Sequence, residues 1–456
     1  MSNGVTSARP LLIFTAGLIA FYAAWVVLWY ADGAAYAAAL RLYGIDPVLL
    51  RGHAAPVPFF DLQGVLSWSE CARRGVDVFV TNPCDPIGRP SNYSPLLALP
   101  MLGIGVAYTV PLALVIDGAF LLLLPFVVRP RCWRDIALGW LAACSPVTLY
   151  ALERCNIDVI VFGILAAVVL WSPARLRQRL TYGAGFLLGF IKFYPLCLML
   201  LAAGERLKRF VVLALGAVAI MAGFVFAYRY AFAVIAFPGA DWFGDTFSAR
   251  QVANGIADLL RIKSPLISAV LVVPAVLAGW FAWHVSKPLG ALLPVRGWRT
   301  RTNLLLLVGA VTIVSCFALQ SNLYYRALFL LAALPGLWRL RDRARGNDRR
   351  LLGWAIAGLL ACLWAETART SLVLLAAQAP AGWVKQAGLA IRIVTLALRE
   401  TLWWGEIAFL AGLVLAFLRE TPAVRDLAGF LGLKYGVSGG RPVVVLAASH
   451  DPDLQA

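Results

Sequence analysis

The sequence predicts an all-α protein that crosses a membrane about 10–12 times. Three observations carry that prediction. Hydrophobic residues make up 61% of the 456-residue chain and charged residues only 14%, where soluble domains carry about a quarter charge. Apolar runs of roughly 17–23 residues recur along it, the length a helix needs to cross ~30 Å of hydrocarbon. The net charge of +17 is also not spread as a nucleic-acid-binding surface would be. Most basic residues fall in short clusters between apolar runs: Arg129/Arg131/Arg134, Arg175/Arg177/Arg179, Arg206/Lys208/Arg209, Lys287 through Arg301, and Arg339 through Arg350. Such clusters mark cytoplasmic loops. Membrane lipids are therefore expected as partners, and nucleic acid is not.

Taken in order, the residues before the first run carry Arg9 and belong in the cytoplasm. The run 11–31 is too long for a cleavable signal and no small-residue cleavage site follows it, so it reads as a retained first span. Residues 32–93 carry six Asp/Glu against five Arg and form the first outer loop. Asn82-Pro83, Asp85-Pro86, Gly88 and Pro90 keep much of that loop in turns. Cys71 and Cys84 lie together in it; in an oxidising compartment they could form a disulfide, the alternative being two free thiols. The other six cysteines sit in or beside apolar runs as small core residues. After Tyr93 the apolar stretch is broken by Pro95 and Pro100, which suits an interfacial or re-entrant segment better than a span.

Spans follow at 107–128, 136–152 and 157–171, the last two forming a hairpin with Glu153-Arg154-Cys155-Asn156-Ile157-Asp158 at its outer tip. Segment 180–204 has basic clusters at both ends, so a single crossing there would invert every later loop. It reads as a short hairpin broken at Lys192-Phe193-Tyr194-Pro195. Irregular backbone at membrane depth is tolerated only inside protein or beside a wet cavity, which places Lys192 near a functional cavity. A span at 211–231 leads to a second outer loop, 233–264, holding Asp241, Trp242, Asp245, Arg250, Gln251 and Asn254. Further spans are expected at 265–285, 304–320, 324–338, 351–370 and 401–418, with Gln320 to Arg326 as an outward tip. Residues 371–399 read as an amphipathic piece at the outer interface. The chain thus divides into one polytopic domain, 1–418, and a poorly ordered cytoplasmic tail, 419–456.

No Gly-rich phosphate loop, nucleophile elbow or His/Cys metal spacing is present, and the chain has three His, so neither a metal nor another cofactor is expected. The chemistry falls instead to ionisable groups at the outer ends of spans: Asp61, Arg154, Asp158, Lys192, Arg250 and Arg326. Asp85 is a further candidate. Charge at membrane depth is costly and defaults to a functional hypothesis. Each residue also has a plainer reading. Asp61 could cap a helix, Arg154 and Asp158 could form an i,i+4 pair, and Lys192 could snorkel. Arg326 could anchor at the interface beside two tyrosines, and Asp85 suits a turn better than a second catalytic acid.

Leu152 to Asp158, the basic loop after it, and Gly189-Phe-Ile-Lys192-Phe-Tyr-Pro195 followed by Glu205-Arg-Leu-Lys-Arg resemble the integral-membrane GT-C glycosyltransferases. More narrowly, the chain is similar to the polyprenol-phosphate-mannose-dependent α-mannosyltransferases of glycosyltransferase family 87 and their bacterial relatives. Asp61, Tyr93-Ser94-Pro95, Asn156/Asp158 and Lys192–Pro195 stand where that family has an outer-loop Asp, a Tyr-Pro-Pro-like start to the second span, an Asn-rich tip and a Lys-x-x-Pro-like break. Tyr93-Ser94-Pro95 departs from the double proline, the Cys84–Pro90 stretch looks inserted, and Asn322 to Arg326 replaces a late His pair.

The resemblance implies a GT-C-like bundle in the inner membrane with a periplasmic active site. It implies transfer of mannose or another hexose from a polyprenyl-phosphate donor to a lipid-linked or envelope glycan. Such transfer needs a carboxylate to take the acceptor's proton and cations to stabilise the departing phosphate. Asp61 is the expected base; Lys192, Arg326, Arg154 and Arg250 are the expected phosphate ligands. The rival reading is a transporter or flippase of lipid-linked sugars, which should show two related halves with paired broken helices.

Overall fold

Among the described residues, seven helices are long and apolar enough to cross a membrane, and a pair bent by 50° makes up to eight. The computed structural model describes residues 8–49, 56–99, 103–235, 246–260, 269–293, 297–319, 322–376, 381–431, 434–438 and 441–445. Asp241, Trp242 and Asp245 of the second outer loop, and Gln320 and Ser321 of the later tip, lie outside them.

The chain opens with α1 (Ala8–Ala31) and α2 (Gly33–Leu42), the latter capped by Asp32, whose carboxylate accepts from the N–H groups of Ala34 and Ala35. Helix α3 (Phe60–Arg73) crosses the first polar loop, and the Cys71–Cys84 disulfide ties the turns after it back to it. Two short 3-10 turns, Pro95–Ala98 and Val106–Tyr108, replace a span before α4 (Thr109–Val128). Helices α5 (Trp133–Ala143) and α6 (Pro146–Glu153) are the bent pair. The break falls where Ser145 caps α6 and Pro146 supplies a first residue that needs no N–H partner. Asn156 then caps α7 (Ile157–Trp171) through its side chain.

The hairpin expected at 180–204 is present. It is built from α8 (Arg177–Gly189) and an 11-residue 3-10 helix, Tyr194–Gly204. Gln178 donates to the Leu201 carbonyl (2.7 Å) and Arg179 pairs with Glu205 (2.7 Å), so the hairpin's two ends meet at one level. Runs of 3-10 geometry beyond three or four residues are uncommon and often mark functional strain. Helix α9 (Leu207–Ala227) follows, then α10 (Arg229–Val234), α11 (Gln251–Leu260), α12 (Val272–Leu292) and α13 (Arg301–Leu319). Strand β1 (Thr246–Phe247) pairs antiparallel with β2 (Asn322–Leu323), tying the second outer loop to the later tip. A 3-10 turn, Tyr324–Phe329, leads into α14 (Leu330–Arg343).

Two expectations need correction. Residues 371–399 are not a separate interfacial piece: α15 (Gly346–Ala376) and α16 (Ala381–Glu420) run through most of them. At 1.5 Å per residue both are longer than the hydrocarbon is thick and project beyond it. Nor is the tail without structure. Helix α17 (Pro422–Phe430) docks at the foot of α9, where Asp426 accepts from the Leu207 N–H (3.0 Å). Strands β3 (Lys434–Ser438) and β4 (Arg441–Val445) form a hairpin after it.

Uniformly apolar helices either fill a core or face lipid, and both kinds occur here. In the most apolar window of α13, 72% of residues are buried; in that of α9, none are. The loops sort to two ends of the bundle. At one, Arg134 pairs with Asp342 (2.7 Å), Arg339 donates to the Val128 carbonyl (3.2 Å) and Arg177 to the Arg299 carbonyl (3.1 Å). At the other, Tyr324 donates to the Gly44 carbonyl (3.2 Å) and Tyr230 to Asp77 (2.5 Å). That second end carries the candidate site.

Candidate active site

Three chain breaks meet at the Asp61 end: the start of α3, the α6–α7 tip, and the turn between α8 and the 3-10 helix. Phe59, the residue before α3, is left-handed (φ 59°) and supplies no side-chain cap. The tip serves in its place. The Phe59 N–H donates to the Glu153 carbonyl (2.5 Å), and those of Asp61 and Leu62 to the Arg154 carbonyl (3.2 and 3.4 Å). Asp61 is thereby fixed to residues almost a hundred positions later. Its carboxylate is not the cap of its own helix.

Asn156 joins the parts. Its side-chain oxygen accepts from the Asp158 N–H (3.0 Å) and from Lys192 Nζ (2.8 Å). Its Nδ2 donates to Asp61 Oδ2 (2.5 Å) and to Tyr325 Oη (2.8 Å), with Tyr93 Oη farther off at 3.4 Å. A lysine can only donate and a carboxylate can only accept, so these neighbours leave the amide one orientation.

On one side of Asn156, Asp158 accepts from Lys192 Nζ (2.6 Å) and Tyr194 Oη (2.8 Å) and lies 3.3 Å from Arg326 Nε. Two cations there share one carboxylate. On the other side, Arg154 lies 3.4 Å from Glu153 and 3.9 Å from Asp61, so two carboxylates share one cation. The whole set balances formally, three positive against three negative, but its two halves do not. The Lys192–Arg326 half carries an excess positive charge, while in the other half Asp61 and the buried carboxyl of Glu153 face the single cation Arg154.

Asp61 and Tyr93 also line a cavity of about 520 Å³, with Trp68, Phe79, Arg89 and Asn92 among its walls. Aromatic faces beside amide, hydroxyl and carboxylate groups suit a polar, ring-shaped ligand. Behind Phe59 a second, apolar recess of about 340 Å³ has Asp117 and Glu153 in its wall. A third, about 740 Å³, is a groove between the Tyr194–Gly204 helix and α9, lined by Leu196, Met199, Val218, Met221 and Val225, with Arg229 at its end.

The structure therefore brings together Asp61, Arg154, Asn156, Asp158, Lys192, Arg326 and Tyr93. Among the described residues no hydrogen bond or ion pair joins Arg250 to them; that residue is exposed just before α11. Asp85 is buried and its carboxylate is taken up by Arg89 (2.6 Å) and by the N–H of Ile87 (3.0 Å), as a turn residue's would be. Arg154 and Asp158 do not pair as i,i+4 neighbours, because Cys155 takes a left-handed conformation (φ 43°) between them and each has other partners. Lys192 does not snorkel; its ammonium is buried.

Sequence reasoning missed Tyr194, Tyr325, Glu153 and Arg89. The tyrosines sit within the very segments singled out for Lys192 and Arg326, but read alone they look like interface aromatics. Among the described residues no group of three or more His, Cys, Asp or Glu is placed to hold a metal ion.

No family model matches the chain, and no curated protein does. Among solved structures, that of ArnT from Cupriavidus metallidurans bound to undecaprenyl phosphate aligns with 91% of this chain and 79% of its own. Sequence identity is 15% and the TM-score 0.33.

Proposed function

We propose that this protein is a membrane glycosyltransferase of the GT-C kind. It would move mannose or another hexose from a polyprenyl-phosphate donor to a hydroxyl of a lipid-linked or envelope glycan. The observation that supports this most is the arrangement about Asn156: Lys192 and Arg326 share Asp158 on one side, and Asp61 opens on the polar cavity on the other. An acceptor hydroxyl in that cavity meets Asp61, and a donor phosphate drawn to the positive half meets Lys192 and Arg326.

The acceptor oxygen attacks the sugar's anomeric carbon while its proton passes to an oxygen of Asp61. The bond from that carbon to the phosphate oxygen breaks, and its electron pair leaves with polyprenyl phosphate. Negative charge grows on the phosphate as it departs, which is where fixed cations contribute most. Arg326 offers a planar fork for two oxygens and Lys192 a point charge. Arg154 lies nearer Asp61 and suits a role in holding that carboxylate. The apolar groove between the Tyr194–Gly204 helix and α9 suits the donor's lipid chain.

A flippase built on paired halves would carry its broken helices at matching positions. Here the two breaks, within 133–153 and 177–204, are consecutive in the chain, which favours transfer over transport.

The test is turnover by purified protein supplied with synthetic polyprenyl-phosphate-mannose and other hexose donors, with the glycolipid product weighed by mass spectrometry. Failure to release polyprenyl phosphate from any donor would overturn the proposal. Sidedness is tested by cysteine labelling. Thr81→Cys and Arg250→Cys should react from the periplasm, and Arg175→Cys and Asn347→Cys only after permeabilisation. Labelling of Arg250→Cys from the cytoplasm would invert the assignment.

A further inference from the structure

We infer that Arg89 is the positioning residue for Asp61, an inference that rests on the reading of Asp61 as the base. A helix start usually relies on a Ser, Thr, Asp or Asn cap, and α3 has Phe59 there instead, with no side-chain cap. Its N–H groups are held by the α6–α7 tip. Its other side is held by Arg89, whose Nη2 donates to the carbonyl of Phe60 (2.9 Å), the residue directly before Asp61. The Arg89 guanidinium also lies 3.6 Å from the centre of the Phe60 ring.

Only a planar, forked cation can do all of this together. Nε donates to both oxygens of Asp85 (3.2 Å to Oδ1 and 3.0 Å to Oδ2), Nη2 donates to Oδ2 (2.6 Å) and also reaches the Phe60 carbonyl, and the flat face stacks on the ring. Gly64 leaves the room: a Cβ there would come within 3.0 Å of Nη2. Arg89 is itself anchored to α3. Its carbonyl accepts from Trp68 Nε1 (3.2 Å) and from Asn82 Nδ2 (2.9 Å), Asn82 reaches Ser67 (2.9 Å), and the disulfide joins Cys84 to Cys71. The loop thus grips α3 along its length and braces its first turn through one side chain.

With its charge matched by Asp85, Arg89 is poorly placed to serve as another phosphate ligand, although it lines the same cavity as Asp61. Its effect should come through geometry, where a displacement of about 1 Å can cost roughly a hundredfold in rate.

The experiment measures transfer from polyprenyl-phosphate-mannose, or whichever hexose donor the unsubstituted protein turns over, by Arg89→Ala, Arg89→Lys and Asp61→Asn. Arg89→Ala should lower kcat about a hundredfold with donor KM unchanged, and added methylguanidinium should restore part of the rate. Arg89→Lys keeps the Asp85 pair but loses the Phe60 bond and the stack, and should fall about tenfold. If Arg89→Ala does not fold, Arg89→Lys carries the test. Normal kcat in the Arg89 variants, or a loss confined to KM, would overturn the inference. Normal turnover in Asp61→Asn would instead remove the base, and this inference with it.

Discussion

Two clusters of buried charge lie at the same end of the bundle, and they are paired differently. In the second, Arg399 binds Glu366 (2.5 Å) and Glu400 (2.9 Å), and Arg369 binds Glu366 (2.7 Å). Two guanidinium groups face two carboxylates at hydrogen-bonding distance, and Arg399 also donates to the Thr246 carbonyl (3.4 Å). That cluster locks α15 and α16 to the strand pair behind the Tyr324 tip. In the first, Arg154 stands 3.9 Å from Asp61, and Arg326 3.3 Å from Asp158 outside hydrogen-bond geometry. Its charge is split between two halves, and one half opens on a cavity. Burial of charge in a membrane protein therefore does not by itself mark a site.

The comparison is broken most sharply at Asp61. Asp61→Asn keeps the size of the side chain, and the N–H groups at the start of α3 are satisfied by backbone carbonyls rather than by this carboxylate. The protein should fold normally and lose turnover by about 10²–10⁴, the worth of a proton-transfer group. Near-normal transfer would make the first cluster as structural as the second.

The next effect in size concerns the positive half. Lys192→Ala and Arg326→Ala should weaken donor use about tenfold to a hundredfold, since charge-assisted bonds contribute about 1.5–3 kcal/mol. Donor titrations read this directly, and unchanged donor dependence in both variants would take the phosphate away from this half.

The second cluster should show the reverse pattern. Arg399→Met leaves two buried carboxylates with one cation, and losing one partner of a buried pair costs about 3–5 kcal/mol. Thermal unfolding in detergent should record that loss, while donor KM of the protein still folded stays as it was. A KM change with stability intact would mean the two clusters are not separate in function.

The smallest effect lies outside both. Tyr230 donates to Asp77, and that bond holds its phenol above the ordinary value of 10. A raised phenol pKa means the bond is fully present below pH 10 and is lost as pH rises through the higher folded value. Asp77→Asn should leave turnover alone and return the Tyr230 ionisation toward 10, seen in the difference absorbance at alkaline pH. A loss of turnover would bring the Asp77 turn into the site.

Hydropathy and the placement of basic residues determined the fold class, the two ends of the bundle and the broken hairpin at 180–204, because span length and loop charge are local properties of the chain. The same reasoning reached Asp61, Asp158, Lys192 and Arg326, since a charge beside a break in an apolar run is visible without its partners; Asn156, which carries no charge, entered only through the family resemblance. Only the tertiary structure decided how they combine. Asp61 meets Asn156 across 95 residues and Asn156 meets Tyr325 across 169, and no local pattern records such a meeting. Packing left Arg250 exposed and turned Asp85 toward Arg89. It also made Glu366, Arg399 and Glu400 a buried, hydrogen-bonded cluster instead of an interfacial fringe. Whether a buried charge is neutralised tightly or left loose beside a cavity depends on the elements that helix packing brings against it, and those come from distant parts of the chain.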